Sequence, residues 1–394
     1  MFAVLYPARK ALSRLIILFS LFWLAACQPV SLSGPAGGGS SINPAKPVPV
    51  ALLVPHGASS PQEQQLARDL EAAARLAAAD LQGVQIDLRV YGTAGNASQA
   101  RTAALNAVAD GARIIVGPLH AESANAAAVA VADQGVNVLA FSNNPTIAGG
   151  NLFILGQTFN NTAKRLANFA ARQGKQRILA VYSENLAGQL GRNAIEQAVN
   201  SSGAQFAGSV GYEFSQQGVA SAVPQIKAAA AQSNADAIFM TSNTAGALPL
   251  FSQMLPEAGL SPGSTQFIGL ARWDVPAQTT SLPGVQGGWF AVPDPQRDAA
   301  FRARFQAANG NAPHVISGLA YDGIAAIGAL AQSGSSDALS RTRLTQSAGF
   351  QGVSGVFRFR PNGANERGLA VATIRDQQVV VIDPAPRGFG GAGF

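Results

Sequence analysis

Five consecutive apolar residues, Val50-Ala51-Leu52-Leu53-Val54, constrain this chain more than any other stretch. A strand with no polar side cannot leave either face to water, so it belongs in the middle of a parallel sheet covered by helices. The run Val48–Gly57 ends in Pro55-His56-Gly57, and Ser60, Pro61 and Glu63 then offer a cap, a first-turn proline and an S-x-x-E capping box. The unit predicted is strand, loop, helix.

The chain repeats that unit in two series. In the first, a helix at 61–79 places Leu66, Leu70, Ala73, Ala77 and Leu81 on one stripe. Strand two, Val84–Tyr91, alternates apolar residues with Gln85, Asp87 and Arg89, the pattern of an edge. Apolar strands follow at Arg113–Val116, Val136–Phe141 and Leu152–Leu155. The second series has strands at Arg177–Tyr182, Gln205–Phe214 (again alternating), Ala235–Met240, Gln266–Leu270 and Val285–Val292. An alternating second strand beside apolar neighbours predicts the order 2-1-3-4-5 in each sheet. The fold class expected is therefore α/β, two doubly wound parallel-sheet lobes joined by three crossovers near 156–159, 293–295 and 352–355. That places lobe 1 at 48–158 plus 294–352, lobe 2 at 159–293 plus 353–384, and a loose Gly-rich tail at 385–394.

Ahead of the lobes, Arg9, Lys10 and Arg14 precede an apolar core, Leu15–Ala26, and then Cys27, the only cysteine in the sequence. The core is too short for a spanning helix, which needs about 20 apolar residues, and fits a secretory signal over residues 1–26. Leu24-Ala25-Ala26-Cys27 resembles a lipobox, so Cys27 is expected to carry the lipid anchor, and Gln28 in place of Asp favours the inner leaflet of the outer membrane. Residues 28–47, rich in Pro, Gly and Ser, read as a tether with a reach of about 25 Å. Removing residues 1–26 lowers the net charge from +6 to +3, 24 basic against 21 acidic side chains. With the remaining arginines scattered, nothing points to nucleic acid, and the membrane is met only through the lipid.

Enzymatic motifs fail on physical grounds. Gly259-Leu260-Ser261-Pro262-Gly263 matches G-x-S-x-G, but Pro262 has no N–H to donate to an oxyanion, and the string follows a helix rather than a strand. Gly388–Gly393 matches G-x-G-x-x-G with no room for a helix after it. His56, His120 and His314 lack metal-ligand spacing. The reading is a non-catalytic protein without metal or cofactor.

Several strings are similar to a known family. Gly117-Pro118-Leu119, Phe141-Ser142-Asn143, Trp289–Pro295, Tyr321-Asp322 and Gly349–Arg360 together resemble the penicillin-binding-protein activator lipoproteins, within the type I periplasmic-binding superfamily of leucine/isoleucine/valine-binding proteins. The resemblance covers Val48 to about Pro384. It implies a periplasmic lipoprotein that regulates peptidoglycan synthesis by contacting a bifunctional penicillin-binding protein. The alternative it leaves is the substrate-binding subunit of an amino-acid ABC importer. Well-known activators of this type carry a large N-terminal helical domain, whereas this reading places the tether of residues 28–47 directly before the first lobe.

In open α/β sheets the ligand lies beyond the C-terminal ends of the strands. Those ends supply His56, His120, Ser123, Ser142, Asn143 and Asn144 in lobe 1, and Glu184, Asn185, Thr241, Ser242, Arg272, Trp273 and Asp274 in lobe 2. Hydroxyls, amides and helix N-termini suit a small anion or the carboxylate of an amino acid. By resemblance to the amino-acid binders, Ser142 would hold the carboxylate and Asp274 or Glu184 would meet the ammonium, with Trp273 available to stack.

Overall fold

A computed structural model describes residues 41–390. Strand β1 (Val48–Val54) lies between β2 (Ile86–Gly92) and β3 (Ile114–Val116), parallel to both. With β4 (Asn137–Ala140) and β5 (Leu152–Ile154) the sheet order is β2-β1-β3-β4-β5, as the alternation in strand two predicts. Both faces of β1 are covered. Val50, Leu52 and Val54 belong to the core beneath α1 (Pro61–Asp80). Ala51 and Leu53 belong to the core beneath α2 (Ala97–Ala109) and α3 (Ala121–Val131). Half of the expected capping box forms: Ser60 Oγ accepts from Glu63 N at 3.4 Å, while the Glu63 carboxylate meets His120 Nε2 at 3.1 Å.

The second lobe runs α4 (Phe159–Arg172), β6 (Arg177–Ser183), α5 (Leu186–Ser202), β7 (Gln205–Tyr212), α6 (Gln216–Ser233), β8 (Ala237–Met240), α7 (Leu248–Glu257), β9 (Gln266–Gly269) and β10 (Trp289–Val292). The chain then returns to the first lobe through α8 (Pro295–Asn309), whose Phe301 and Phe305 enter the first core, and α9 (Gly318–Ala331), which packs beside α1. A short α10 (Arg341–Leu344) leads to an antiparallel three-stranded sheet, β11 (Phe350–Gly352), β12 (Gly355–Phe359) and β13 (Asn365–Arg367). Finally β14 (Ala370–Arg375) and β15 (Gln378–Asp383) extend the second sheet to β15-β14-β10-β9-β8-β6-β7, antiparallel at that end.

Two expectations are corrected. Residues 353–367 do not join lobe 2: Val353, Phe357 and Phe359 are buried in the first lobe's core, so the third crossover moves to Gly368-Leu369. The glycines that suggested a crossing instead make a tight hairpin, Gly352 pairing with Gly355 at φ +123°. Nor is the tail loose as far as it is described. Pro384–Phe389 forms a strap from the end of β15 back to the first lobe. There the Arg358 guanidinium lies 4.4 Å above the Phe389 ring and Gln351 Nε2 reaches Arg387 O at 3.4 Å.

The crossovers are tied by buried polar side chains. Arg367 donates from Nε to Leu155 O (2.9 Å) and pairs with Asp322 (3.0 Å), whose other oxygen accepts from Val353 N (2.8 Å). Asn365 donates to Ile154 O and Gly156 O, both at 2.9 Å, and Arg165 donates to Leu369 O at 2.6 Å. Each of these carbonyls sits where the chain leaves a sheet and loses its ladder partner.

Candidate functional site

The wall on the first lobe is built by the loops after β3 and β4. Gly117 takes φ +90°, and a Cβ there would lie 2.1 Å from Leu53 O, so only glycine lets the loop turn this close to β1. Phe141 N donates to Pro118 O at 3.0 Å, which joins the two loops and sets the Ser142 segment beside the start of α3. Ser142 is buried and accepts from Asn144 N at 3.1 Å. Asn143 is exposed; Asn144 is spent on a turn, accepting from Thr146 N (3.0 Å) and Thr146 Oγ1 (2.8 Å). Ser123, in the first turn of α3, is 1% exposed and its Oγ has no hydrogen-bond partner. Both histidines are committed to carboxylates on α1, His120 to Glu63 and His56 to Glu71 at 2.9 Å. Burial would raise the Glu71 carboxyl, but hydrogen bonds from His56 and Arg75 hold it below the ordinary range.

On the second lobe, Asn185 caps α5, its Oδ1 accepting from Gly188 N at 2.9 Å and from Ser183 Oγ at 3.0 Å. Glu184 is exposed beside it. Thr241 and Ser242, just past β8, carry buried hydroxyls without partners, as Ser123 does. Arg272 grips Asp274, Nε to Oδ1 at 2.9 Å, and the pairing keeps Arg272 more basic than usual although burial works against it. Asp274 is therefore not a free acceptor for an ammonium group, and of the two acids read as partners for one, Glu184 is the exposed one.

Trp273 is a correction. It is fully buried in the second lobe's core, tilted against Phe290 with centroids 6.2 Å apart. Its slot exists because Gly269 and Gly288 lack side chains: a Cβ on either would come within 2.4 Å of the indole. It cannot stack on a ligand. What the strand-end reading missed is a cavity of ≈ 180 Å³ at the end of β7, lined by Tyr212, Phe214, Val219, Ala245 and Leu250. The pairing of Tyr212 and Phe214 on one face of an alternating strand was the available signal. Burial pushes the Tyr212 hydroxyl up to about 12. Among the described residues, no group of three or more His, Cys, Asp or Glu side chains is placed to hold a metal ion.

A family model described as periplasmic binding protein matches residues 47–378. The chain belongs to that family. Solved structures agree at the level of the fold. A putative branched-chain amino acid ABC transporter protein from Rhodospirillum rubrum superposes with a TM-score of 0.72 at 18% identity, over 86% of this chain and 100% of its own. A branched-chain amino acid ABC transporter periplasmic ligand-binding protein from Burkholderia xenovorans LB400 gives 0.66 at 21%, over 86% and 96%. An ABC transporter substrate-binding protein from Desulfitobacterium hafniense, in complex with Leu, gives 0.63 at 18%, over 86% and 100%. No curated protein matches the sequence. Among the described residues, no helix is long and apolar enough to cross a membrane.

Proposed function

We propose that this binding protein captures a small carboxylate-bearing solute, an amino acid by preference, between its lobes for an ABC importer. The observation that carries the reading is the set of orphaned hydroxyls, Ser123 in one lobe and Thr241 and Ser242 in the other. A buried polar group without a partner costs about 1–3 kcal/mol, so three at the strand ends of both sheets are what a ligand's oxygens and nitrogens would satisfy. The leucine complex among the structural neighbours supports the same class.

Several of the residues behind the regulator reading are interior. Phe290, Phe350, Phe357 and Phe359 are buried core residues, and Asp322 is a crossover residue. These five positions serve the packing of the fold, so they do not by themselves favour a synthase partner. The Cys27 anchor lies outside the described residues and is kept as part of the proposal. An importer subunit must meet an inner-membrane permease, so membrane fractionation should find the native protein at the inner membrane; outer-membrane sorting, with stimulation of a bifunctional penicillin-binding protein, would return the regulator reading.

The direct test is a thermal-shift titration with leucine and other aliphatic amino acids. A ligand at 100 times its Kd adds about 2.7 kcal/mol. Ser123→Ala should leave the unliganded protein as stable or slightly more so, because an unsatisfied hydroxyl is removed, yet weaken binding about tenfold, or ~1.4 kcal/mol. No shift with any amino acid, or an unchanged affinity in Ser123→Ala, would sink the proposal.

A further inference from the structure

A second groove, of ≈ 680 Å³, opens beside the second crossover, between the first turn of α8 and the C-terminal strap. Its volume falls in the range of small-molecule sites, roughly 300–1,000 Å³. None of the strand-end residues lines it. Two arginines do, Arg297 from α8 and Arg387 from the strap, with Gln296 and Gln351. The one carboxylate in the lining, Asp294, is engaged in capping α8, its Oδ1 accepting from Gln296 N (3.0 Å) and Arg297 N (3.2 Å). Arg297 is half exposed, comes no closer than 4.0 Å to Asp294 and touches Gly352 O at 3.5 Å. Arg387 makes no ion pair among the described residues, although its backbone is fixed by Gln351.

The groove is thus a cationic recess with two planar forks and one acid already committed. We propose that it is a second binding site, for a small di- or tricarboxylate held between Arg297 and Arg387. Guanidinium forks match carboxylates two bonds at a time, which a lysine pair would not. A single carboxylate satisfies one fork, so a ligand with two or more is the class that uses both. Because α8 and Gln351 belong to the first lobe and Val381, on β15, to the second, the groove spans both lobes. Binding there is then coupled to the interlobe angle, and reciprocally to ligand in the cleft.

The test is calorimetric titration of the mature chain with citrate and succinate, beside neutral glycerol as control. Saturable one-to-one binding of citrate is expected, weakening with added salt. It should fall at least tenfold in Arg297→Gln and in Arg387→Gln, and persist in Arg375→Gln, an exposed arginine at the end of β14. Thermal melts of the three variants check that they fold as the parent does. No saturable heat up to about 10 mM citrate, too weak to hold a ligand in place, overturns the proposal. So does binding that survives both groove variants but is lost in Ser123→Ala, which would put citrate in the cleft. The groove shares no residue with the cleft, so either reading can fail alone.

Discussion

Replacing Arg367 with methionine should be among the most damaging single changes in the chain. Its side chain is 4% exposed, its Asp322 partner 0%. The substitution takes the cation from Asp322, leaves Leu155 O without its donor and removes the guanidinium from above Phe357, 5.0 Å from the ring centroid. Removing one partner of a buried pair costs about 3–5 kcal/mol, because the other charge stays buried and uncompensated. Adding Asp322→Leu removes that charge. The double variant then loses mainly the hydrogen bonds of Val353 N and Leu155 O, about 1–3 kcal/mol, so the second substitution should restore stability. The pH dependence follows. Burial already pushes the Asp322 carboxyl up against the pull of Arg367 and Val353 N–H, and without Arg367 it rises further. A folded-state pKa above the unfolded one means that the folded state binds the proton first. The penalty in Arg367→Met is therefore full above the folded pKa and shrinks as pH falls toward the ordinary carboxylate range. Urea unfolding followed by circular dichroism at pH 7 and pH 5 measures both effects. A double variant less stable than Arg367→Met, or a single-variant loss under about 1 kcal/mol, would refute the reasoning.

Two further outcomes probe the crossovers and the core. Glu366 joins Arg358 to Lys164 of α4 (3.2 Å); burial would raise its carboxyl, but those cations hold it below the usual range. Its stabilisation is present above the unfolded pKa and lost as pH falls through the folded one. Glu366→Gln should cost about 1–3 kcal/mol at pH 7 and nothing in acid, and a pH-independent difference in denaturation midpoints would contradict the assignment. Gly288→Ala places a methyl 2.2 Å from Trp273 Cζ3. Overpacking of this kind costs about 1–3 kcal/mol, with a changed near-ultraviolet circular dichroism; an unaltered spectrum and melt would mean that Trp273 is not wedged there.

The sheet order was readable because burial leaves a direct mark on sequence. Val50–Val54 is apolar on both faces and sits in the middle, while Ile86–Gly92 alternates and sits at the edge. The third crossover was misplaced because glycine marks any departure from regular structure: at Gly352 and Gly355 that departure is a hairpin, and the crossing occurs at Gly368. Trp273 misled for a related reason. Its neighbours Arg272 and Asp274 are polar, and the space that buries it is made by Gly269 and Gly288, one on a neighbouring turn of chain and one fifteen residues away. The tail's glycines hid one anchoring ring, Phe389. Of the site, the polar strand ends were legible, but which hydroxyls stay unpartnered depends on packing that no local pattern encodes.

That distribution of satisfied and unsatisfied groups separates hinge from cleft. Where the chain passes between lobes, carbonyls at Ile154, Leu155, Gly156 and Leu369 lose their sheet partners while remaining inside the protein, and Asn365, Arg367 and Arg165 satisfy them all. Among the described residues, the buried side-chain atoms without a partner are Asn365 Oδ1 in the crossovers, Trp273 Nε1 in the second core and three hydroxyls at the strand ends. A hinge with its hydrogen bonds filled keeps its geometry as the lobes move, since bending exposes no unpaired group. Under the proposed function, a cleft with unfilled ones would gain from closing on a ligand that fills them. Free energy of order 1–3 kcal/mol per hydroxyl would then be released only in the liganded state, and that is the differential interaction a population shift toward a closed form requires.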